Sequence, residues 1–114
     1  MERTLSQSDA NSPASRDAWV AAAEPLDGAY LNTIRDIARH HDMAVVATFL
    51  EAGDPKPFNA AVLINRQGDI ILHQRKRHIC FFDVPEDACA PGTASRVVKL
   101  GTRSGDVAIG IMIC

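Results

Sequence analysis

Apolar residues recur at helical spacing in the first third of the chain. The clearest stretch begins at Asp27 or Gly28 and ends at residues 40–42, with apolar side chains on one face at Leu31, Ile34, Ile37 and Ala38. This pattern predicts an amphipathic helix that packs on a core. A shorter helix is expected over residues 16–23, opened by Ser12-Pro13 or Ser15 and stopped by Pro25.

After the second helix the pattern changes to that of β-strands. Residues 43–50 form a continuous apolar run, which is typical of a strand covered on both faces. A hairpin is predicted from residues 58–65 and 70–75, because the four residues between them have the composition of a turn. Helices followed by strands and hairpins indicate a mixed α/β layer structure.

Two further strands are predicted at residues 96–100 and 107–113, joined through a turn that contains Gly101 and Gly105. The last ten residues are almost all small or apolar, so we expect a buried strand that carries Cys114 at its far end. A strand that ends at a nucleophile is a common way to build an active site, because the strand is rigid and its end lies at the rim of the sheet.

Composition limits the classes of protein to which the chain can belong. With 114 residues, 46% hydrophobic and 23% charged, it fits one globular domain. We expect a loose N-terminal segment over residues 1–15, rich in Ser, Asn, Asp and Gln, and a single partial domain over residues 16–114. A formal charge of −2 gives no broad attraction to nucleic acid or to anionic membranes.

Neither targeting signals nor the cysteines indicate a particular function. No apolar run approaches the ~18 residues that span a bilayer, and the first residues lack the apolar core of a secretion signal, so a cytoplasmic location is expected. The three cysteines are Cys80, Cys89 and Cys114. They form no C-x-x-C pair, and we expect neither a disulfide framework, nor a metal site, nor a cofactor.

The candidate chemistry lies in three residues. Lys76 ends the strand at 70–75, Cys114 ends the last predicted strand, and Glu86 lies in the loop between them. An ammonium near a thiol favours the thiolate and can stabilise oxyanion charge when the thiolate attacks a carbonyl or nitrile carbon. Glu86 could hold the lysine in place and keep it protonated.

Each of these residues also has a simpler interpretation. A lysine at a strand end is more often a solvated flank, a cysteine in an apolar strand is more often an inert core residue, and a loop glutamate is more often exposed. The basic cluster at residues 75–78 is more often a charged turn than a nucleic-acid site, because aromatic residues are not interleaved with it. Composition and spacing alone therefore do not identify a function.

An ordered set of motifs changes this picture, because together they resemble the carbon–nitrogen hydrolase (nitrilase) superfamily. The match begins with a segment like the family's second helix and runs to the end of the chain. Its pieces are AEPLDG at 23–28, FNAA followed by NRQGDI at 58–70, RKRH at 75–78, EDACAPG at 86–92 and GIMIC at 110–114. They are similar to the family's "yNta…dpdGei" hairpin, its "yrKxH" motif, its "E-x-x-[apolar]-x-P-G" segment and its run into the nucleophile.

This resemblance implies a fold and a reaction. The fold would be part of a four-layer α-β-β-α sandwich, and the reaction would be hydrolysis of a non-peptide C–N bond. Carried over by position, Cys114 is the nucleophile, Lys76 is the oxyanion-stabilising lysine, and Glu86 is the glutamate that supports it. The substrate would be a small amide, carbamoyl or nitrile compound, and the GIMIC segment favours an amide or carbamoyl group. Family members commonly assemble as homo-oligomers, so a homo-oligomer is a further expectation.

The chain also departs from the family pattern. The general-base glutamate of the family follows an "F-P-E" motif that does not occur here, and Glu2 is the remaining candidate for that role. Glu24 and Glu51 match other positions of the family. The first strand and helix, and everything after the nucleophile, are expected to be missing, so we expect the 114-residue chain by itself to be inactive.

Two alternatives to an enzyme remain open from the sequence. The chain could be a non-enzymatic interaction module, or a pseudogene product, that retains part of the fold. A thiol redox role for Cys80, Cys89 or Cys114 is a weaker possibility, which reactivity toward a thiol reagent would test. The coding DNA on both sides of this frame would distinguish these interpretations. An "F-P-E" motif upstream or a family-like continuation downstream would support the interpretation as a hydrolase.

Overall fold

The computed structural model describes residues 13–80 and 88–114 and confirms a mixed α/β architecture. The elements in chain order are α1 (Pro13–Ala22), α2 (Ala29–His41), β1 (Val45–Glu51), β2 (Phe58–Ile64), β3 (Ile70–Arg75), β4 (Val97–Thr102) and β5 (Gly105–Gly110). Strands β1, β2 and β3 form an antiparallel sheet in that order, and β4 pairs with β5 in a separate antiparallel hairpin.

Helix α2 forms where the apolar periodicity predicts it. Its backbone begins after Gly28 and ends at Asp42, which adopts a left-handed conformation and donates its backbone N–H to the carbonyl oxygens of Ala38 and Arg39. The last turn carries Arg39, His40 and His41, whose positive or ionisable side chains suit the negative end of the helix dipole. The prediction of this helix and of its end at residues 40–42 is confirmed.

The core lies between α2 and one face of the three-stranded sheet. Alternation along β1 directs Val45, Ala47 and Phe49 toward the helix. The buried cluster is formed by Leu31, Ala38, Ala47, Val62 and Ile64, and the partly buried residues packed against it are Leu26, Ile34, Val45, Phe49 and Ile70. Because β2 is the central strand, its residues are the most deeply buried of the sheet.

The β2–β3 hairpin is confirmed, and its turn is held by one side chain. The Oδ1 atom of Asn65 accepts the backbone N–H groups of Gln67 and Asp69 at 3.1 and 2.9 Å, as asparagine does in many turns. Gly68 has a φ of 83°. A Cβ there would also lie 2.6 Å from Nη1 of Arg39, so both conformation and space favour glycine.

Two expectations, about helix α1 and strand β1, need correction. Helix α1 begins at Pro13 rather than at residue 16, and ends at Ala22. The apolar run of β1 is not covered on both faces, because Val46 is 53% exposed.

Neither helix in the described part of the chain combines the length and the apolar character needed to cross a bilayer.

The last strand is also more exposed and shorter than predicted. Strand β5 ends at Gly110 rather than at residue 113, and most of its residues are exposed, with Val107 at 48%. Met112, beyond its end, is 91% exposed. The physical reason is that within the described residues β4 and β5 pair only with each other, so the hairpin gains little of the cover that a larger sheet gives.

The packing of α2 makes a prediction about stability. Leu31 is fully buried, whereas Ile37 on the same helix is 46% exposed. We expect Leu31→Ala to lower the free energy of unfolding by about 2 to 5 kcal/mol, because it leaves a cavity under the helix. Ile37→Ala is the matched control and should cost less than about 1 kcal/mol. Urea denaturation followed by circular dichroism measures both, and equal losses would contradict this packing.

Candidate active site

Lys76 directly follows β3 and continues its pairing with β2. Its backbone N–H donates to the carbonyl oxygen of Asn59 at 2.7 Å, one step beyond the registered pair Ala60 and Arg75. The residue is only 5% exposed. The simpler interpretation of Lys76 as a solvated flank is therefore wrong.

The segment Ala90-Pro91-Gly92 is attached to this strand end. The backbone N–H of Gly92 donates to the carbonyl oxygen of Lys76 at 2.8 Å, and that of Ala90 donates to Pro57 at 2.8 Å. A Cβ at Gly92 would lie 2.6 Å from Cβ of Arg75, so only glycine allows this approach. The segment similar to the family's P-G motif thus lies against the lysine.

Glu86 lies outside the described residues, as does Glu2. The part of the Glu86 segment that the structure does describe is well packed, since Cys89 is 3% exposed. This burial fits the apolar position that Cys89 occupies in the motif.

An ionic cluster centred on the buried carboxylate of Glu51 includes Arg75, the residue directly before Lys76. The guanidinium of Arg75 binds the carboxylate of Glu51 with both oxygens, from Nε to Oε2 at 2.9 Å and from Nη2 to Oε1 at 2.8 Å. Nε2 of His73 lies 2.7 Å from Oε2 of the same carboxylate. The Arg75 guanidinium also stacks over the ring of Phe58, 3.8 Å from its centroid. We call Glu51, His73 and Arg75 the Glu51 cluster.

Cys114 lies beyond the end of β5, and its side chain is exposed. Of the other two cysteines, Cys80 is half-buried and Cys89 is buried. Lys76 and Cys114 therefore belong to different sheets, and their convergence on one electrophile stays a prediction. Among the described side chains, no group of three or more His, Cys, Asp or Glu is placed to hold a metal ion.

Comparison with known proteins identifies the family. The family model described as carbon–nitrogen hydrolase matches residues 9–114. The chain belongs to the carbon–nitrogen hydrolase family. A curated relative, an (R)-stereoselective amidase from a Pseudomonas species, is 33% identical over 93 residues, which cover 81% of this chain and 31% of the relative. A beta-ureidopropionase from Arabidopsis thaliana is 34% identical over 64 residues, or 54% of this chain and 16% of that protein.

Solved structures show the same fold. An N-terminal amidase matches with a TM-score of 0.67 at 17% identity, over 87% of this chain and 27% of that one. The NitN amidase of a Nesterenkonia species matches with a TM-score of 0.62 at 23% identity, over 75% and 32%. The chain thus spans about a third or less of the length of the curated relatives and of these solved amidases.

Within this carbon–nitrogen hydrolase chain, two members of the Glu51 cluster have pKa values that depart from their usual ones. Burial raises the pKa of Glu51, but the hydrogen bonds from Arg75 and His73 outweigh it, so the pKa lies below its usual value. The same hydrogen bond raises the pKa of Arg75. Glu51 is therefore an ionised carboxylate held inside the protein by its partners.

The Glu51 cluster is the part of the site that sequence reasoning missed. The basic run at residues 75–78 has the composition of a charged turn, but Arg75 pairs with Glu51 and Lys76 is buried. Arg77 and His78 are exposed. Two signals were present in the sequence. Glu51 is an acid at the end of an apolar strand. His73 and Arg75 are two positions apart and so lie on the same face of another strand.

The cluster makes a prediction about pH dependence. Because the folded pKa of Glu51 lies below its unfolded value, the carboxylate stabilises the fold above the unfolded pKa, and this contribution is lost as the pH falls through the folded pKa. Glu51→Gln should cost about 1 to 3 kcal/mol at neutral pH. It should also flatten the acid side of the stability curve.

Unfolding by urea at a series of pH values between neutral and acid measures this slope. Asp36→Asn is the matched control, because Asp36 is an exposed acid on α2. If Glu51→Gln and the wild type lost stability with the same slope in acid, the cluster would not be the source of the dependence.

Proposed function

We propose that this chain carries the cysteine and lysine of an amidase-type hydrolase that cleaves a non-peptide C–N bond of a small amide or carbamoyl compound. Cys114 is the nucleophile, Lys76 stabilises the oxyanion, and Glu86 holds the lysine. The proposal describes a cytoplasmic enzyme that acts on small molecules and has no nucleic-acid or membrane partner. Homo-oligomeric assembly is a further part of it.

The chemistry follows from these roles. The Cys114 thiolate adds to the carbonyl carbon of the amide, and the charge that develops on the oxygen is stabilised by the Lys76 ammonium. The C–N bond then breaks, the nitrogen takes up a proton and leaves as ammonia or an amine, and a thioester remains on the sulfur. Water attacks the thioester carbon, which releases the acid and restores the thiol.

The observation that carries this proposal is the burial of Lys76 at a strand end. Lysine is almost never fully buried unless its charge is paired. Here its backbone N–H is bound to Asn59 and its carbonyl oxygen to Gly92. A held cation at the rim of a sheet is what stabilisation of an oxyanion requires, because the charge then needs no reorganisation during the reaction.

The relatives support the choice of reaction. A curated relative is an amidase and another is a beta-ureidopropionase, which favours amide and carbamoyl groups over nitriles. A glutamate-to-glutamine mutant of the Nesterenkonia amidase shows covalent addition of the acetamide moiety of fluoroacetamide at its active-site cysteine. We infer by analogy that Cys114 has the corresponding role.

The first prediction from this proposal concerns the nucleophile. The complete product of the gene that encodes this chain should release ammonia from simple amides or from N-carbamoyl amino acids. Cys114→Ala should abolish release, with kcat falling by about 10³-fold or more. Cys89→Ala is the matched control, because Cys89 is a buried cysteine without a proposed role. Retained activity in Cys114→Ala would overturn the proposal.

Labelling gives a second measurement of the same role. Fluoroacetamide should modify Cys114 in preference to Cys80 and Cys89, as read by peptide mass spectrometry. Assay of the 114-residue chain alone, beside the complete product, tests the expectation that the chain alone does not turn over. Labelling of all three thiols at the rate of a free peptide thiol would argue against an activated nucleophile.

The second prediction concerns the lysine. Lys76→Met should lower kcat by about 10²- to 10³-fold, as loss of one oxyanion-stabilising group does, with a smaller change in KM. Lys99→Met is the control, because Lys99 is an exposed lysine on β4. Steady-state ammonia release measures both variants. A Lys76→Met enzyme with wild-type kcat would exclude the oxyanion role.

A non-enzymatic interaction role is the second candidate, and the exposed hairpin favours it. Val97 is 70% exposed and Val107 is 48% exposed, and apolar surface of this kind often marks contact with another chain. The same assays separate the two candidates. An interaction module would bind a partner through β4 and β5 but release no ammonia from any amide, carbamoyl compound or nitrile.

A further inference from the structure

We propose that Arg75 and Glu51 act together as positioning residues that set the direction of the Lys76 side chain. This inference rests on the proposed function, because it assigns the two residues a role in the reaction of that lysine. It goes beyond that function by naming groups that touch neither the substrate nor the sulfur.

The argument begins with strand geometry. Successive side chains of an extended strand point to opposite faces of the sheet. Arg75 and Lys76 are neighbours in the continuous pairing with β2, so an anchor on the Arg75 side chain limits the rotation of the backbone about the strand axis. The direction of the Lys76 side chain is fixed by the same limit.

The anchor on Arg75 is strong because several contacts hold one guanidinium. Two parallel hydrogen bonds join it to a carboxylate that is 5% exposed, and such bidentate pairs fix orientation as well as distance. The ring of Phe58 covers one face of the guanidinium, which adds a cation–π contact. The anchor also spans the sheet, since Glu51 is on β1 and Arg75 is on β3, the two strands that flank β2.

The Glu51 end of the anchor is itself fixed. The backbone of Glu51 lies in a short parallel bridge with Glu24, where Glu24 N–H donates to Leu50 and Ala52 N–H donates to Glu24, both at 2.9 Å. His73 adds a further contact to the carboxylate. A buried carboxylate with three close contacts, two to Arg75 and one to His73, has one favoured position, so it can act as a fixed reference for the arginine.

The backbone of Arg75 is held as firmly as its side chain. The Nε2 atom of Gln74 donates to the carbonyl oxygens of Arg75 and Ala94, both at 2.8 Å. Gly92 packs directly against Cβ and the carbonyl group of Arg75. These contacts hold the backbone of the strand end. The ion pair to Glu51 is the contact that limits its rotation about the strand axis.

The functional consequence is specific. Displacement of a reacting or stabilising group by about 1 Å can lower a rate by about 10²-fold. We therefore expect Arg75→Lys, which keeps the charge but loses the bidentate geometry, to lower kcat for the amide by about 10- to 100-fold with little change in KM. Glu51→Gln should have an effect of similar size.

The experiment measures kcat per active site, with active sites counted by the stoichiometry of fluoroacetamide labelling at Cys114. It compares the wild type, Arg75→Lys, Glu51→Gln and the double variant. Because the two residues act through one contact, the double variant should be no slower than the slower single variant. The rate constant of Cys114 labelling provides an independent readout of the lysine position.

Two controls separate positioning from stability. Arg77→Lys changes an exposed arginine two residues along the same chain segment and should leave kcat unchanged. Leu31→Ala weakens the core without touching the Glu51 cluster, so it should lower the number of active sites but not kcat per site. If Glu51→Gln does not fold, the milder Arg75→Lys variant still decides the question.

The outcomes are distinct for the two proposals. Wild-type kcat per active site in Arg75→Lys, or an equal loss in Arg77→Lys, would overturn the positioning role while the proposed function stands. Retained activity in Cys114→Ala would overturn the proposed function itself. A loss of kcat in Arg75→Lys that the double variant does not deepen, with wild-type values in both controls, supports the positioning role.

Discussion

The hydrogen bond from the N–H of Lys76 to the carbonyl oxygen of Asn59 extends the β2–β3 ladder by one residue past the strand. That extension keeps the lysine in the sheet geometry instead of releasing it into the following loop. The segment that contains Gly92 then binds the carbonyl oxygen of the same residue. The position of the candidate site thus depends on backbone pairing, and the side chains are placed by it.

The Glu51 cluster shows how the fold accommodates charge beside an apolar core. A lone buried carboxylate would be strongly destabilising, but here two side chains of β3 reach it across the central strand. The net contribution to stability of an ion pair with one buried partner can be small. Its clearer consequence is orientation, because a bidentate contact has one favoured geometry. The ion pair to the buried Glu51 therefore involves Arg75, the residue directly before Lys76.

The two antiparallel β-structures of this carbon–nitrogen hydrolase chain differ in how much of their surface is covered. The first sheet has a helix on one face and a compact core, whereas β4 and β5 present much of their apolar surface to solvent. The chain corresponds to about a third of the Pseudomonas amidase it resembles. The described residues therefore divide into a sheet that is largely covered and a hairpin that is not.

The sequence by itself determined the local elements. The periodicity of α2, the turn around Asn65 and Gly68, and the β2–β3 hairpin could all be predicted, because helical spacing and turn chemistry depend on near neighbours along the chain. The ordered motifs also indicated the family correctly. Tertiary structure alone decided which strand faces are covered: Val46 and Val107 are as apolar as buried residues, and only the number of packed layers determines their exposure. Tertiary structure also decided that Glu51 meets Arg75, because that contact depends on the registers of two strand pairs at once, and no local pattern records it.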